Sequence, residues 1–298
     1  MEHQPPPTET RNPLTSDIDT LSTKGVLELL HAEDGRGVRA AEAASGQLAE
    51  AVDAAHERLR DGGRVHYFGA GASGRLAVLD ATEITPTFGA EPDLFTAHFP
   101  GGSPALTDPG LDFEDSEAMG EEDAKDLREA DVAVGITASG STSYVAGALR
   151  SARRCGALCV LLTCNPSSPL LDLCDLPVVA DTGPEALTGS TRLKAGTATK
   201  VVLNSFSTAL MIRGGRTYSN LMVGLVATNA KLRARSVDLL AEASAEPRPR
   251  CEAVLEDSGG EVPPALVTLL TGAPVVRARE LLSAHGSVRG AVAALAER

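Results

Sequence analysis

Two short segments rich in glycine and hydroxyl side chains could bind a phosphate group. The first is 69–75 and the second is 138–143. Glycine lets the backbone approach a ligand closely, while serine and threonine hydroxyls donate hydrogen bonds. If each segment leads into a helix, the unpaired N–H groups of that helix add a partial positive charge. The candidate phosphate-binding residues are Gly71, Ser73, Gly74, Arg75, Ser139, Gly140, Ser141 and Thr142.

Both segments are also compatible with different roles. The first has the Gly-x-Gly-x-x-Gly spacing of a dinucleotide-binding loop, and its glycines also suit a plain tight turn. A serine and threonine cluster before a helix is often only an N-cap. The acidic residue that would bind the ribose of NAD is missing after the next β-type run, which ends at His98 and is followed by Phe99 and Pro100. A phosphorylated small molecule is therefore favoured over a dinucleotide.

A third polar segment, 185–197, leads into a long apolar helix pattern. Its basic residues Arg192 and Lys194 could face an anion, and Glu185 and Ser190 lie in the same segment. We include all four as candidate substrate-binding residues. The alternative is a capped helix start whose charges are solvated.

The elements that must position these segments alternate along the chain. Short β-type runs are separated by patterns with helical spacing, which predicts a parallel sheet covered by helices on both faces. Ligands bind at the carboxyl ends of the strands in such sheets, where both glycine-rich segments fall. The predicted strands are 64–68, 94–98, 131–137, 158–163 and 176–180.

The regions flanking the sheet are predicted to be helical. Prolines favour an extended arm over 1–13, a helix begins near Ser22, and 244–249 is a linker containing Pro247 and Pro249. Further helices are predicted at 38–61, 75–83, 115–129, 144–155, 196–213 and 219–240, with two or three short ones in 263–298. The expected organisation is an arm with helices over 1–54, a sheet domain over 55–218, and C-terminal helices over 219–298 with a small unit at 260–298.

Composition limits the possible partners and location. The chain has 298 residues and a net charge of −13, which argues against a nucleic acid partner because phosphate backbones require a basic face. Aromatic residues make up 3%, so the core must consist of Ala, Val and Leu. The five cysteines show no Cys-x-x-Cys spacing, which is typical of reduced thiols. With no signal peptide or membrane-length apolar run in the sequence, we expect a cytoplasmic protein without membrane contact.

Several ordered blocks of residues carry a family resemblance that covers roughly residues 8–298. The blocks are 8–13, 17–19, 21–23, 69–87, 135–145, 164–166, 183–197 and 220–223. They closely resemble the N-acetylmuramic acid 6-phosphate etherases, which have a sugar isomerase (SIS) fold. The resemblance implies a three-layer α/β/α SIS domain, an N-terminal helical arm and a small C-terminal helical unit. It also implies a homodimer that uses neither metal nor redox cofactor.

The resemblance further implies the reaction and two acidic residues. Family members cleave the lactyl ether of N-acetylmuramic acid 6-phosphate to N-acetylglucosamine 6-phosphate and D-lactate. By position, Glu83 corresponds to the acid that protonates the departing oxygen, and Glu114 to the base that removes the C2 proton. The chain departs from the family pattern at Ala72, 84–86, 111–113, 141–143 and Gly224.

Two further functions occur on the same fold. One is a non-catalytic sugar-phosphate sensor such as glucokinase regulatory protein, and the other is an aldose–ketose isomerase. A sensor would not need both Glu83 and Glu114, and an isomerase would need no acid directed at a C3 ether. The two glutamates therefore favour the etherase.

Overall fold

A five-stranded parallel sheet forms the centre of the computed structural model, which describes residues 5–108, 110–224 and 230–296. The strand order is β2-β1-β3-β4-β5. This confirms the predicted α/β fold with a parallel sheet. The strands are β1 (Val65–Gly69), β2 (Phe95–His98), β3 (Val132–Thr137), β4 (Leu158–Thr163) and β5 (Leu176–Val179).

The strands β2 and β3, which follow β1 in sequence, pair with opposite edges of β1. Gly69 at the end of β1 pairs in register with Ile136, one residue before the end of β3. The two strands therefore end side by side where the strand order reverses, and such a switch point opens a crevice for ligands.

The chain divides into two units. The first contains the residues up to Thr82 together with Asp93–Ser207, and the second contains Glu83–Pro92 together with the residues from Thr208 onward. The boundaries between the units fall within the helices α3 (Gly71–Phe88) and α7 (Lys194–Arg213). The domain limits expected from the sequence, at positions 55 and 219, stay a prediction. The other helices of the first unit are α1 (Thr23–Ala43), α2 (Ser45–Arg60), α4 (Gly102–Thr107), α5 (Glu117–Asp123) and α6 (Ser143–Arg154).

Helices cover both faces of the sheet in the first unit. Successive residues of a strand point to opposite faces, and β1 illustrates this with two buried rings. Phe68 belongs to the apolar cluster that contains Tyr144 and Leu149 of α6. Tyr67 contacts Phe206 of α7 with a ring-centroid distance of 6.5 Å, and its hydroxyl donates a hydrogen bond to Asp80 of α3 at 2.9 Å. The result is the expected three-layer arrangement.

The N-terminal region differs from its predicted form in two respects. The predicted single helix over 38–61 is wrong, because Ala44 has a ψ of 0° and separates α1 from α2. The arm is not fully extended, since Pro7–Glu9 and Pro13–Thr15 form 3-10 helices with proline at the first position, where its missing N–H has no cost. The predicted helix start at Ser22 is confirmed: its hydroxyl accepts the Gly25 N–H at 3.3 Å.

The second unit contains five short helices and a hairpin among its described residues. The helix predicted over 219–240 is wrong at its start, because the antiparallel strands β6 (Thr217–Tyr218) and β7 (Leu221–Met222) form a two-residue turn there. Ser219 has a φ of 53°, which a helix does not allow. The predicted linker is also shorter than expected, since Pro249 lies in the first turn of a helix. The helices are α8 (Ala230–Ser244), α9 (Arg248–Asp257), α10 (Val262–Thr271), α11 (Val275–His285) and α12 (Val288–Ala296).

Gly224, one of the departures from the family pattern, has a packing reason within the second unit. A Cβ on Gly224 would overlap the carbonyl oxygen of Phe88, and a Cβ on Gly89 would overlap the carbonyl of Gly224. The two backbone segments approach too closely for any side chain. In the described residues, no helix is both long enough and apolar enough to cross a membrane.

A stacked histidine pair on β1 and β2 predicts a loss of stability in acid. His66 Nδ1 lies 3.0 Å from His98 Nε2, and burial, followed by the nearby His98, lowers the pKa of His66 to about 4. In the unfolded chain the His66 imidazole binds a proton near its ordinary pKa of 6.5, whereas in the folded protein it does so only near pH 4. The free energy of unfolding should therefore fall as the pH is lowered from 6.5 to 4, by roughly 2–3 kcal/mol. Urea unfolding across this range measures the loss. His66→Gln should reduce this pH dependence of the free energy of unfolding. An unchanged slope in His66→Gln would refute the assignment.

Candidate functional site

The two glycine-rich segments lie after neighbouring strands. The first connects β1 to α3, which begins at Gly71 with a φ of 53°, and the second connects β3 to α6, which begins at Ser143. This confirms the predicted arrangement of strand, loop and helix at both places. Two helix N-termini therefore start from adjacent strand ends, which is a suitable arrangement for binding an anion.

The first loop packs tightly against the strand that precedes it. A Cβ on Gly74 would overlap the carbonyl oxygen of Gly69 and lie 2.6 Å from the Phe99 ring. Ser73 is half-buried beside it in the first turn of α3. The exposed Arg75 donates from Nε to the Leu106 carbonyl at 2.8 Å, and its guanidinium carbon lies 5.4 Å from the centroid of the Phe99 ring. These contacts hold the basic side chain beside the loop.

Gly74→Ala should displace the loop from its packed position against β1 and Phe99. The added methyl group meets backbone and a packed ring, so we expect a loss of roughly 1–3 kcal/mol in the free energy of unfolding, together with weakened sugar-phosphate binding. Urea unfolding and calorimetric titration measure the two effects. Gly46→Ala is the matched control, because its Cβ would meet nothing within 4 Å in helix α2. Wild-type stability and binding in Gly74→Ala would contradict the packing argument.

The second loop is ordered by its own hydroxyl groups. Thr142 Oγ1 lies 2.8 Å from Thr137 Oγ1, and Ser139 Oγ lies 3.2 Å from Ser141 Oγ. Because the Thr142 hydroxyl is engaged with β3, no side chain caps the N-terminus of α6. The Tyr144 N–H of this helix donates to a carbonyl of the preceding segment, so an anion would meet the other N–H groups of the first turn.

Two residues after β4 support the second loop, although the sequence pattern predicted no role for them. Asn165 donates from Nδ2 to the Ser139 carbonyl at 2.8 Å, and Ser168 donates to the Gly140 carbonyl at 2.5 Å. Gly140 has a φ of 77°, and a Cβ there would lie 2.6 Å from Ser168 Cβ. The signal that could have indicated this role is the position of Asn165 two residues after the end of β4, at the same edge of the sheet.

Glu114 lies against both loops. A Cβ built on Gly71 would be 3.9 Å from Glu114 Oε2, and the Glu114 carbonyl accepts the Tyr144 N–H of α6 at 3.0 Å. Although the residue is exposed, desolvation, followed by the charges of Asp112 and Asp115, raises the pKa of the Glu114 carboxyl. A carboxylate with a raised pKa is a stronger base.

A small cavity joins the first loop to this glutamate. Its volume is about 130 Å³. That is below the range of pockets for whole drug-sized ligands, so it suits one end of a sugar phosphate. Residues lining the cavity include Gly71, Arg75, Phe99, Pro100, Asp112 and Glu114.

Glu83 occupies a different part of the chain. It lies on α3 beyond the loop, is exposed, and belongs to the second unit, which begins at this residue. The role of Glu83 as an acid stays a prediction from the family resemblance.

Two residues of the third polar segment have buried partners. Glu185 is fully buried, and its carboxylate accepts the N–H groups of Lys194 at 3.1 Å and Ala195 at 2.8 Å. It therefore caps the N-terminus of α7. The Lys194 ammonium is 2% exposed and pairs with the Glu33 carboxylate at 2.6 Å. The Lys194 charge, predicted to face an anion, is thus balanced by a carboxylate inside the protein. The substrate-binding roles of Lys194 and Glu185 stay predictions.

The N-terminal arm completes this buried network. Asn12 donates from Nδ2 to Glu33 at 2.9 Å, and Thr15 donates to the Ala186 carbonyl at 2.9 Å. The Gly189 N–H donates to the Thr8 carbonyl at 3.0 Å. These bonds hold the segment that carries the half-buried Ser190 and the exposed Arg192, whose substrate contacts remain predictions.

Comparison with known proteins identifies the family. The chain is 51% identical to an N-acetylmuramic acid 6-phosphate etherase from Thermobifida fusca (strain YX), over 89% of this chain and 87% of that protein. It is 46% identical to the etherase of Salmonella agona (strain SL483), over 95% of this chain and 97% of that protein. The chain belongs to the N-acetylmuramic acid 6-phosphate etherase family. This confirms the resemblance found in the sequence.

Domain-level comparisons agree with membership of the etherase family. Residues 47–153 match the glucokinase regulatory protein N-terminal SIS domain, and residues 107–209 match the SIS domain. A solved phosphoheptose isomerase from Francisella tularensis has a TM-score of 0.51 and 17% identity, covering 64% of this chain and 99% of that protein. At this identity the similarity establishes the SIS fold alone.

Proposed function

We propose that the protein is a carbon–oxygen lyase that cleaves the D-lactyl ether of N-acetylmuramic acid 6-phosphate. The products are N-acetylglucosamine 6-phosphate and D-lactate, as in amino sugar recycling. The observation that carries the proposal is the 51% identity to an etherase over most of both chains. The two loops beside Glu114 supply a physical basis for it.

The loops are suited to hold the 6-phosphate. Apart from the Tyr144 N–H, which is bonded to Glu114, the N–H groups at the start of α6 can donate to an anion together with the hydroxyls of Ser73, Ser139, Ser141 and Thr142. Arg75, held over Phe99, adds a positive charge at the edge of the cavity. Local donors of this kind are sufficient for a phosphate even though the whole chain carries a net charge of −13.

The proposed reaction proceeds by elimination and addition. Opening of the sugar ring exposes a C1 aldehyde, which makes the C2 proton acidic. Glu114 removes that proton, the C3–O bond breaks as a C2=C3 double bond forms, and Glu83 gives its proton to the departing lactate oxygen. Water then adds its hydroxyl to C3 while C2 regains a proton. General acid and base groups contribute roughly 10²–10⁴-fold each to such steps.

One experiment separates the lyase from the sensor and isomerase functions of this fold. Purified protein is incubated with N-acetylmuramic acid 6-phosphate and, separately, with glucose 6-phosphate. We expect D-lactate from the first and no fructose 6-phosphate from the second. Ketose formation without lactate would identify an isomerase. Saturable binding of the etherase substrate without turnover would identify a sensor.

We also propose a homodimer located in the cytoplasm. Leu14, Leu27 and Leu187 expose roughly half of their surface on the arm, α1 and the third polar segment, and such apolar surface suits a subunit interface. All five cysteines are free thiols, which suits a reducing compartment. Light scattering should give twice the mass of the chain, and a monomer at micromolar concentration would contradict the dimer.

A further inference from the structure

The second unit contains a cavity that shares no residue with the glycine-rich loops. Its volume is about 520 Å³, within the range of small-molecule sites. We propose that it binds a small organic anion: one carboxylate or phosphate group on a mainly apolar body. Residues that line it include Arg216, Val223, Glu261, Arg279, Leu282 and Val288.

The cavity has a surplus of positive charge. Arg279 is neutralised, because its Nη1 pairs with Glu261 Oε1 at 2.6 Å and its Nη2 donates to the Ser258 carbonyl at 2.8 Å. Arg216 is different: it is half-buried and donates from Nη1 only to the Gly89 carbonyl, at 3.3 Å. Within the described ranges, no carboxylate lies at ion-pair distance from Arg216.

An unpaired guanidinium in this position favours an anionic ligand. A guanidinium has five N–H donors, and partly removing them from water is unfavourable unless an acceptor replaces the lost hydrogen bonds. A carboxylate or phosphate can accept two of these hydrogen bonds at once. The lining carries two arginines and one glutamate, so a single negative charge on the ligand balances it.

The other residues that line the cavity indicate the chemistry of the non-anionic part of the ligand. Val223 and Val288 are almost fully buried and belong to the apolar cluster of this unit, with Leu282 packed against it. Gly286 also lines the cavity, and a Cβ on it would meet nothing within 4 Å, so the backbone leaves open space there. An apolar ring or chain fits such walls better than a polyhydroxylated sugar does.

Titration calorimetry on the full chain tests the proposal with four probes. Benzoate and phenyl phosphate combine an apolar ring with an anionic group, benzamide lacks the charge, and inorganic phosphate lacks the ring. We expect benzoate or phenyl phosphate to bind measurably tighter than both controls, and the tighter of the two identifies the anionic group. Equal binding of benzamide or inorganic phosphate, or no binding by either aromatic anion, would overturn the proposal.

Variants assign the binding to this cavity. Arg216→Gln should weaken binding of the aromatic anion about tenfold, because charge-assisted hydrogen bonds are lost, while Arg216→Lys should retain most of it. Arg277→Gln is the matched control, since Arg277 pairs with Glu280 on the exposed side of α11. If Arg216→Gln does not fold, nuclear Overhauser contacts in the wild type between ring protons and the methyl groups of Val288 and Leu282 replace it. Unchanged affinity in Arg216→Gln, or the absence of these contacts, would refute the site.

Discussion

Glu83→Gln should abolish lactate release while the protein still binds its substrate. Glutamine keeps the size of the side chain but cannot give a proton to the departing lactate oxygen, so we expect kcat to fall by about 10³-fold, within the usual contribution of a general acid. Affinity should change little, because the phosphate loops around Ser73 and Ser139 are untouched. Coupled detection of D-lactate gives the rate, and calorimetric titration of the inactive variant with N-acetylmuramic acid 6-phosphate gives the affinity.

The control for this experiment is Glu91→Gln. Glu91 is an exposed glutamate in the same short segment of the second unit, Glu83–Pro92, and it has no assigned role in the reaction. It should retain wild-type turnover. If Glu83→Gln turns over at more than a tenth of the wild-type rate, or loses affinity in proportion to its rate, the role of Glu83 as proton donor is misassigned.

Glu33→Gln should destabilise the first unit strongly. The Lys194 side chain is 2% exposed and would lose its negatively charged partner, retaining only neutral acceptors, the glutamine amide oxygen and the Pro184 carbonyl at 2.5 Å. Removing one partner of a buried ion pair costs about 3–5 kcal/mol, because a charge remains buried without compensation. Urea unfolding measures the change. Turnover should fall as well, since the network holds the segment that carries Ser190 and Arg192.

An exposed ion pair on α1 serves as the control for the buried ion pair between Lys194 and Glu33. Lys24 and Glu28 lie 3.6 Å apart, with side chains 84% and 67% exposed, so Glu28→Gln should cost less than about 1 kcal/mol. The double variant Glu33→Leu with Lys194→Met should be more stable than Glu33→Gln alone, because it removes both charges. A loss of less than about 1 kcal/mol in Glu33→Gln, the range of a surface pair, would contradict the network.

The sequence predicts the sheet and the loops well because their signals are local. A β-type run, a glycine turn and a helical pattern adjoin one another at 64–83, and the same order recurs after β3. Alternation of such units predicts parallel strands without knowledge of distant contacts. The position of Glu114 is different: the segment before α5 carries no local signal, and only the fold brings it beside Gly71.

Long-range pairing explains most of what the sequence could not predict. Lys194 and Arg192 are close in sequence, which predicts a shared role, but Lys194 pairs with Glu33 from α1 and Arg192 stays exposed. The sequence does not distinguish Glu185 from other acidic loop residues, because its capping role depends on α7 beginning at Lys194. The helix predicted over 219–240 is wrong at its start, because a hairpin with a two-residue turn at Ser219 and Asn220 forms there, while α8 covers the prediction from Ala230 onward.

The most direct test of the central claim is turnover of N-acetylmuramic acid 6-phosphate by the wild-type protein in deuterated water, followed by NMR. Proton removal at C2 and later reprotonation from solvent predict one equivalent of D-lactate and one of N-acetylglucosamine 6-phosphate that carries deuterium at C2. Folded protein that binds the substrate but releases no lactate would contradict the proposed lyase, and lactate release with the C2 proton fully retained would contradict the elimination through Glu114.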